Sequence, residues 1–334
     1  MVDESMTLQS LLEDERIREV APYAIKALDL SREPLWTKTL AQLRREQWGG
    51  NVERGMNRLF RAAEEGTYCH RIWTEADIAA DPDKAGVNLV WLPSDDPGAD
   101  DRPYLLILPG GGFVNVWNLT EGWPIADHFN AKGYHAFVLT YRVGGDRTIP
   151  HEMEDVAAAL RYIRDHQAQF RGRWDRYITC GFSAGGYLVC LWSTKELGYG
   201  AFDLPKPRAM FPVYPFVSWR VAGEFAPETT GLTGLHLEET LRSAYEIPEH
   251  VEGFPPCALF LAAEDTTVPP EHSRVLKRAL DAHGIPCRLE ICPKGGHGFA
   301  DGSFMGMKGW PERAIDWYED LVKNENLREA EATV

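Results

Sequence analysis

Apolar positions along this chain follow two rhythms, and the change falls near residue 70. Before it, apolar residues recur at helical spacing: Leu8, Leu11 and Leu12, then Leu35, Trp36, Leu40 and Leu43, then Met56, Leu59, Phe60 and Ala63. Pro22 and Pro34 interrupt the pattern, and Gly49-Gly50 reads as a turn. Strand-like runs are absent. The spacing predicts a helical N-terminal extension over 1–70, serving as a cap or an oligomer contact.

From residue 70 onward strands and helices alternate. Strands are predicted over 70–78, 87–92, 104–108, 134–141, 176–181, 208–213, 257–263 and 286–292. Helices are predicted over 122–132, 151–168, 184–196, 270–283 and 309–324. The later strands are unbroken apolar runs, such as 104–108 and 258–262, as expected for strands buried on both faces. This alternation predicts an α/β fold, an eight-stranded, mostly parallel sheet flanked by helices. A turn at Asp81-Pro82-Asp83 predicts that the sheet starts antiparallel. Residues 214–256 carry Pro215, Pro227, Pro248, Pro255 and Pro256 and break the alternation before the seventh strand. They read as a lid-like insertion within a catalytic unit spanning 71–325, and residues 326–334 read as a polar tail.

Composition narrows the partners. Lys plus Arg total 35 against 50 Asp plus Glu in 334 residues, a formal charge of −15. Nucleic acid and anionic membrane surfaces need a basic face, so neither is an expected partner. No apolar run is long enough for a transmembrane helix. The acidic first fifteen residues lack the basic and apolar regions of a secretory signal, so a cytoplasmic location is expected. The six cysteines show no zinc spacing and read as small buried hydrophobes in a reducing compartment, with no metal site expected.

Four motifs carry chemistry. Gly181-Phe182-Ser183-Ala184-Gly185-Gly186 lies between a predicted strand and a predicted helix. A serine at such a turn has strained backbone angles and a hydroxyl standing clear of the sheet, which marks it as a nucleophile. G-x-S-x-G alone is a weak signal, and an idle serine in a glycine turn is the plain alternative. Upstream, the strand at 104–108 runs into Pro109-Gly110-Gly111-Gly112-Phe113. Amides of Gly111 and Gly112, with that of Ala184, are placed to donate to an oxyanion, each such donor being worth about 10²–10³ in rate. A flexible turn or a phosphate loop are the alternatives, but neither the dinucleotide nor the P-loop fingerprint is completed here. Downstream, Glu264 and Asp265 leave the strand at 257–263, and only one of these adjacent side chains can face a given partner. Finally, His297 sits in Gly295-Gly296-His297-Gly298 after the last strand. The order serine, acid, histidine, each at a strand end, suits a relay in which imidazole takes the serine proton and a carboxylate orients the imidazole.

From 70 to about 324 the chain resembles the α/β-hydrolase superfamily. It is most similar to bacterial serine esterases of the acetyl-esterase (xylan-esterase-like) and hormone-sensitive-lipase-like groups. The likeness rests on Pro109 to Phe113, on Gly133-Tyr134 through Tyr141-Arg142, on the turn at 181–186, on Asp265-Thr266-Thr267-Val268-Pro269, and on Gly296-His297-Gly298. Pro109 replaces the histidine common in lipase-like relatives. The resemblance implies Ser183 as nucleophile, Asp265 rather than Glu264 as acid, His297 as base, and Gly111, Gly112 and Ala184 as oxyanion donors. It implies hydrolysis of a small-molecule carboxylic ester with a short acyl group, acetylated carbohydrate being one such substrate, with no cofactor. Pro150 and Asp155 match structural positions of the family. Trp117, Trp123 and Trp219 flank the expected site loops and are candidate substrate contacts, with plain packing as the alternative. An amidase or peptidase using the same triad, and a non-catalytic binding module on the same fold, are the competing readings. A homodimer through the helical extension is left open.

Overall fold

The computed structural model describes residues 2–45, 52–66, 68–223, 227–303 and 306–332. The turn expected at Gly49-Gly50 lies outside them. Eight strands form one sheet: β1 (Cys69–Arg71), β2 (Asn88–Leu92), β3 (Tyr104–Leu108), β4 (Ala136–Thr140), β5 (Tyr177–Phe182), β6 (Met210–Val213), β7 (Cys257–Ala262) and β8 (Cys287–Cys292). Their order is β1-β2-β4-β3-β5-β6-β7-β8. β2 pairs antiparallel with β1 and with β4, and every later pairing is parallel.

Twelve helices occur among the described residues: α1 (Leu8–Leu12), α2 (Leu40–Arg45), α3 (Val52–Glu65), α4 (Glu75–Ala80), α5 (Trp123–Ala131), α6 (Thr148–Asp165), α7 (Ala184–Trp192), α8 (Trp219–Ala222), α9 (Thr229–Thr233), α10 (Leu237–Thr240), α11 (Glu271–Ala282) and α12 (Trp310–Ala332). They cover both faces of the sheet. The side-chain alternation of β3 shows how: Leu105 and Ile107 join one apolar cluster with α3, α5 and α12, while Leu106 and Leu108 join another with α6, α7 and α11. The N-terminal extension belongs to the first cluster, since Leu8, Leu11, Ile17, Val20, Leu40, Met56 and Leu59 are all buried in it. Much of the insertion belongs to the second, through Phe216, Trp219, Tyr245, Ile247 and Phe254.

The strand expected over 70–78 is cut short. Only Cys69–Arg71 pairs, because Thr74 starts a helix instead. Its hydroxyl accepts from the Asp77 amide at 3.2 Å, and the Asp77 carboxylate accepts from the Thr74 amide at 3.0 Å. This reciprocal cap satisfies two donors that a strand would have left to a neighbour. The turn at Asp81-Pro82-Asp83 is the start of a 3₁₀ turn over Pro82–Gly86, with Asp81 as its cap. α6 begins before its expected start, α7 ends at Trp192, and α12 continues to Ala332 through the stretch expected as a tail.

Strand register positions the functional loops. Leu108 lies opposite Gly181, so the loop after β3 and the turn after β5 leave the sheet side by side. Ala262 lies opposite Cys292, which brings the exits of β7 and β8 together. All four lie at the carboxyl ends of parallel strands, where open α/β sheets place their ligand crevice.

The extension is part of the core, so Leu59→Ala is expected to lower unfolding free energy by about 2–5 kcal/mol. Urea denaturation followed by intrinsic tryptophan fluorescence measures this; a loss below about 0.5 kcal/mol would mean that α3 packs only superficially.

Candidate active site

Ser183 stands between β5 and α7 with φ 51° and ψ −114°, a conformation that costs most side chains about 1–3 kcal/mol. Its amide donates to the Val213 carbonyl at 3.0 Å and its carbonyl accepts from the Tyr187 amide at 3.0 Å, which hold the strained turn. The turn also needs its glycines. A methyl group on Gly185 would lie 2.1 Å from the Leu108 carbonyl oxygen, so only glycine lets α7 start against the end of β3.

Three of the expected side chains meet here. His297 Nε2 lies 2.9 Å from Ser183 Oγ, and its Nδ1 lies 2.7 Å from Asp265 Oδ2. A carboxylate only accepts, so the ring proton belongs on Nδ1 and the Nε2 lone pair faces the serine hydroxyl. Asp265 is buried, and its Oδ1 accepts from the amides of Thr267 at 3.0 Å and Val268 at 2.9 Å. Glu264, the adjacent carboxylate, is exposed.

The glycine loop borders the same turn. Gly111 has φ 145° and approaches Asn115 so closely that a methyl group would lie 2.1 Å from its carbonyl oxygen. Gly112 and Phe113 follow at φ 62° and 65°. Among the described residues, no hydrogen-bond acceptor engages the amides of Gly111, Gly112 or Ala184. The Gly110 amide, by contrast, is committed to Glu121 Oε2 at 2.6 Å.

The N-terminal extension backs this loop. Lys26 donates its amide to the Val116 carbonyl at 3.0 Å, Leu119 donates to the Ala24 carbonyl at 2.8 Å, and Asn118 Nδ2 donates to the Tyr23 carbonyl at 2.7 Å. Lys26 Nζ reaches the Tyr141 carbonyl at 2.6 Å, and burial pushes its ammonium down to about 8.

The tryptophans divide. Trp123 and Trp219 are almost fully buried, so neither offers a face to a substrate. Trp123 lies in the core at the start of α5, and Trp219 donates to the Tyr245 carbonyl at 3.1 Å. Both expectations of substrate contact are corrected by this packing: an aromatic near a loop in sequence had turned inward. Trp117 is half-buried beside the glycine loop, its amide donating to the Gly110 carbonyl at 3.0 Å. Asp155 is buried and accepts from the Arg142 amide at 2.7 Å and from Trp73 Nε1 at 2.8 Å. Among the described residues, no cluster of three or more His, Cys, Asp or Glu is arranged to hold a metal ion, and no helix is long and apolar enough to cross a membrane. The six cysteines are unpaired.

Two residues of the site were not picked out by the motifs. Tyr214, the first residue after β6, lays its ring edge-on to His297 with centroids 4.8 Å apart. Glu121 lies in a π-helical turn (Asn118–Gly122) leading into α5. A lone glutamate among Leu119, Gly122 and Trp123 was the available sign of it. Nothing in the sequence singled out Tyr214.

The His297 loop is anchored on its far side. His128 in α5 lies buried between Asp301 at 3.0 Å and Glu312 at 2.7 Å. Burial opposes a charge on this imidazole, but the two acceptors outweigh it and raise its pKa above the ordinary 6.5.

The sheet topology and the site define the class: the chain has the fold of the α/β hydrolases. The BD-FAE family model matches residues 90–201. The chain is 30% identical over 205 residues to the acetylxylan esterase of Xylanibacter ruminicola, covering 59% of this chain and 41% of that protein. It is 28% identical over 226 residues to endo-1,4-beta-xylanase B of Butyrivibrio fibrisolvens, covering 63% of this chain and 34% of that one. The chain thus spans less than half the length of these two relatives. Among solved structures, the acetyl ester-xyloside bifunctional hydrolase from Caldicellulosiruptor lactoaceticus superposes with a TM-score of 0.62 at 29% identity, over 75% of this chain and 94% of that one.

Two outcomes are expected from this geometry. Gly185→Ala pushes the turn and the glycine loop apart, and is expected to slow labelling of Ser183 by a fluorophosphonate about a hundredfold or more; labelling at the wild-type rate would contradict the contact. The raised His128 pKa means that its stabilisation is full below its unfolded value and fades as pH rises through the folded one. The Glu312 partner, held below its ordinary 4.5 by His128 despite its own burial, loses its share only as pH falls. The melting-temperature gap between wild type and His128→Gln is therefore expected to be widest near about pH 5–6 and to shrink toward about pH 9. A gap that stays constant would show that the folded imidazole titrates as it does in the unfolded chain, with no net gain from its two acceptors.

Proposed function

We propose that this chain is a serine esterase that hydrolyses carboxylic esters with short acyl groups. The observation carrying this reading is the bridge of His297 between Ser183 and Asp265, at 2.9 and 2.7 Å, beside the Gly111 and Gly112 amides, which no acceptor among the described residues engages. In the reaction, Ser183 Oγ attacks the ester carbonyl as its proton passes to His297 Nε2. Asp265 holds the Nδ1 proton and steadies the imidazolium. The carbonyl oxygen becomes an alkoxide facing the amides of Gly111, Gly112 and Ala184. The imidazolium then protonates the leaving alcohol as its bond to carbon breaks, leaving an acyl group on Ser183. Water enters, gives a proton to Nε2 and attacks the acyl carbon, and the acid departs with the serine proton restored.

The acyl preference is read from the way the site is enclosed. The insertion packs Phe216, Trp219, Tyr245, Ile247 and Phe254 into the apolar cluster that also holds α6 and α7, so in this reading it walls the serine side of the site and favours a short acyl group. The named activities of two relatives, acetylxylan esterase and acetyl ester-xyloside hydrolase, make acetylated carbohydrate the substrate class to test first.

The test uses p-nitrophenyl acetate, butyrate and octanoate with wild type and Ser183→Ala. Ser183→Ala is expected to lose on the order of 10⁶ in kcat, and wild-type rates are expected to fall steeply from acetate to octanoate. Unchanged turnover in Ser183→Ala would overturn the mechanism, and equal rates across the esters would overturn the acyl preference.

A further inference from the structure

We propose that Glu121 is a positioning residue that sets the glycine loop and the His297 loop relative to each other through Gly110 and Tyr214. This rests on the esterase reading and goes beyond it, since neither residue belongs to the triad or the oxyanion donors.

Glu121 uses both carboxyl oxygens. Oε2 accepts the Gly110 amide at 2.6 Å, and Oε1 accepts the Tyr214 hydroxyl at 2.8 Å. The Tyr214 hydroxyl in turn accepts the Ala300 amide at 3.2 Å. Ala300 is three residues past His297, and the Tyr214 ring rests against the imidazole at 4.8 Å and against Phe299 at 4.6 Å. One carboxyl group therefore connects the residue preceding the oxyanion glycines to the loop that carries the base. Glu121 is itself close to the serine turn: a methyl group on Gly110 would lie 2.9 Å from both Glu121 Oε2 and Ser183 Cβ.

Backbone strain follows the same path. Phe113, Ser183, Tyr214 and Ala300 have φ of 65°, 51°, 38° and 47°, all in the region that side chains avoid. Such angles persist only where neighbouring contacts over-determine them. Two of the four, Tyr214 and Ala300, are bonded to each other within the Glu121 chain. A buried carboxyl also costs free energy unless its lone pairs are used. Burial pushes the Glu121 carboxyl above its ordinary pKa, while the bonds from Tyr214 and Gly110 pull it back. A carboxylate has two oxygens to accept both donors; an amide has one oxygen and presents an N–H₂ to the other.

Glu121→Gln and Tyr214→Phe test this, with p-nitrophenyl acetate turnover, fluorophosphonate labelling of Ser183 and thermal melting. Expected is a loss of about 10–100-fold in kcat for Glu121→Gln, with KM changed by less than about threefold. Tyr214→Phe should shift both in the same direction, and the double variant should be no slower than Glu121→Gln alone, because both changes break one chain. Leu280→Ala, a buried change far along α11, serves as the control that lowers melting temperature but keeps kcat. Either single variant turning over within about twofold of wild type, losses that multiply in the double variant, or a matching kcat loss in Leu280→Ala would overturn the proposal. Labelling separates the two levels. Wild type labelled on Ser183 with unimpaired Glu121→Gln defeats this inference alone, whereas a fully active Ser183→Ala defeats the esterase reading and the inference with it.

Discussion

Backbone meeting backbone at the start of α7 is the contact on which the site depends. The Leu108 carbonyl lies so near Gly185 that no side chain fits between them. That approach fixes the distance between the serine turn and the glycine loop. Leu108 and Gly181 are already opposite each other in the sheet, so hydrogen-bonded strands deliver the two loops in register before any side chain acts. The Gly185 contact then closes the remaining gap. The parallel pairing of β7 with β8 does the same for Asp265 and His297, whose strands end together at Ala262 and Cys292. The candidate site is therefore built on strand ends, with Ser183, Asp265 and His297 each only a few residues beyond a strand.

How much of this could be read from the chain alone follows from what each signal reports. Unbroken apolar runs located the central strands because burial on both faces leaves no polar position. Ser183, Asp265 and His297 were legible because glycine-rich turns at strand ends are scarce and each had a chemical reason for its place. Thr74 shows the opposite case. Its run of residues looked like strand continuation, yet a cap costing only two side chains turned the chain into a helix. Local hydrogen bonding decided there, and periodicity does not report it. Trp123 and Trp219 were misjudged for another reason: proximity in sequence says nothing about which way a ring points once the sheet is covered.

Glu121 and Tyr214 mark the boundary of sequence reading more sharply. They are 93 residues apart, and neither belongs to a motif. Their relation exists only because β6 adjoins β5, which brings the residue after Val213 over the serine turn. A buried carboxyl accepting a hydroxyl and an amide has no signature in composition or spacing. Its partner is defined by topology, and topology becomes visible only when the strand order is known.

The described residues of the N-terminal extension fit the same logic of support from behind. Their apolar side chains complete the cluster on one face of the sheet, and a short stretch from Tyr23 to Lys26 shares hydrogen bonds with 116–119, two between backbones and one from the Asn118 side chain. Those residues follow directly on the glycine loop. Lys26 pays for a half-buried position with a lowered pKa, and the Tyr141 carbonyl supplies its acceptor. The Tyr141 hydroxyl then donates to the Pro109 carbonyl, one residue before the glycines begin. An apolar residue would satisfy packing at position 26 but could not engage that carbonyl. The lysine thus ties the extension directly to the residue after β4, beside the path that Asn118 makes from the Tyr23 carbonyl to the Thr140 hydroxyl, and both ties set the β4 end against the glycine loop.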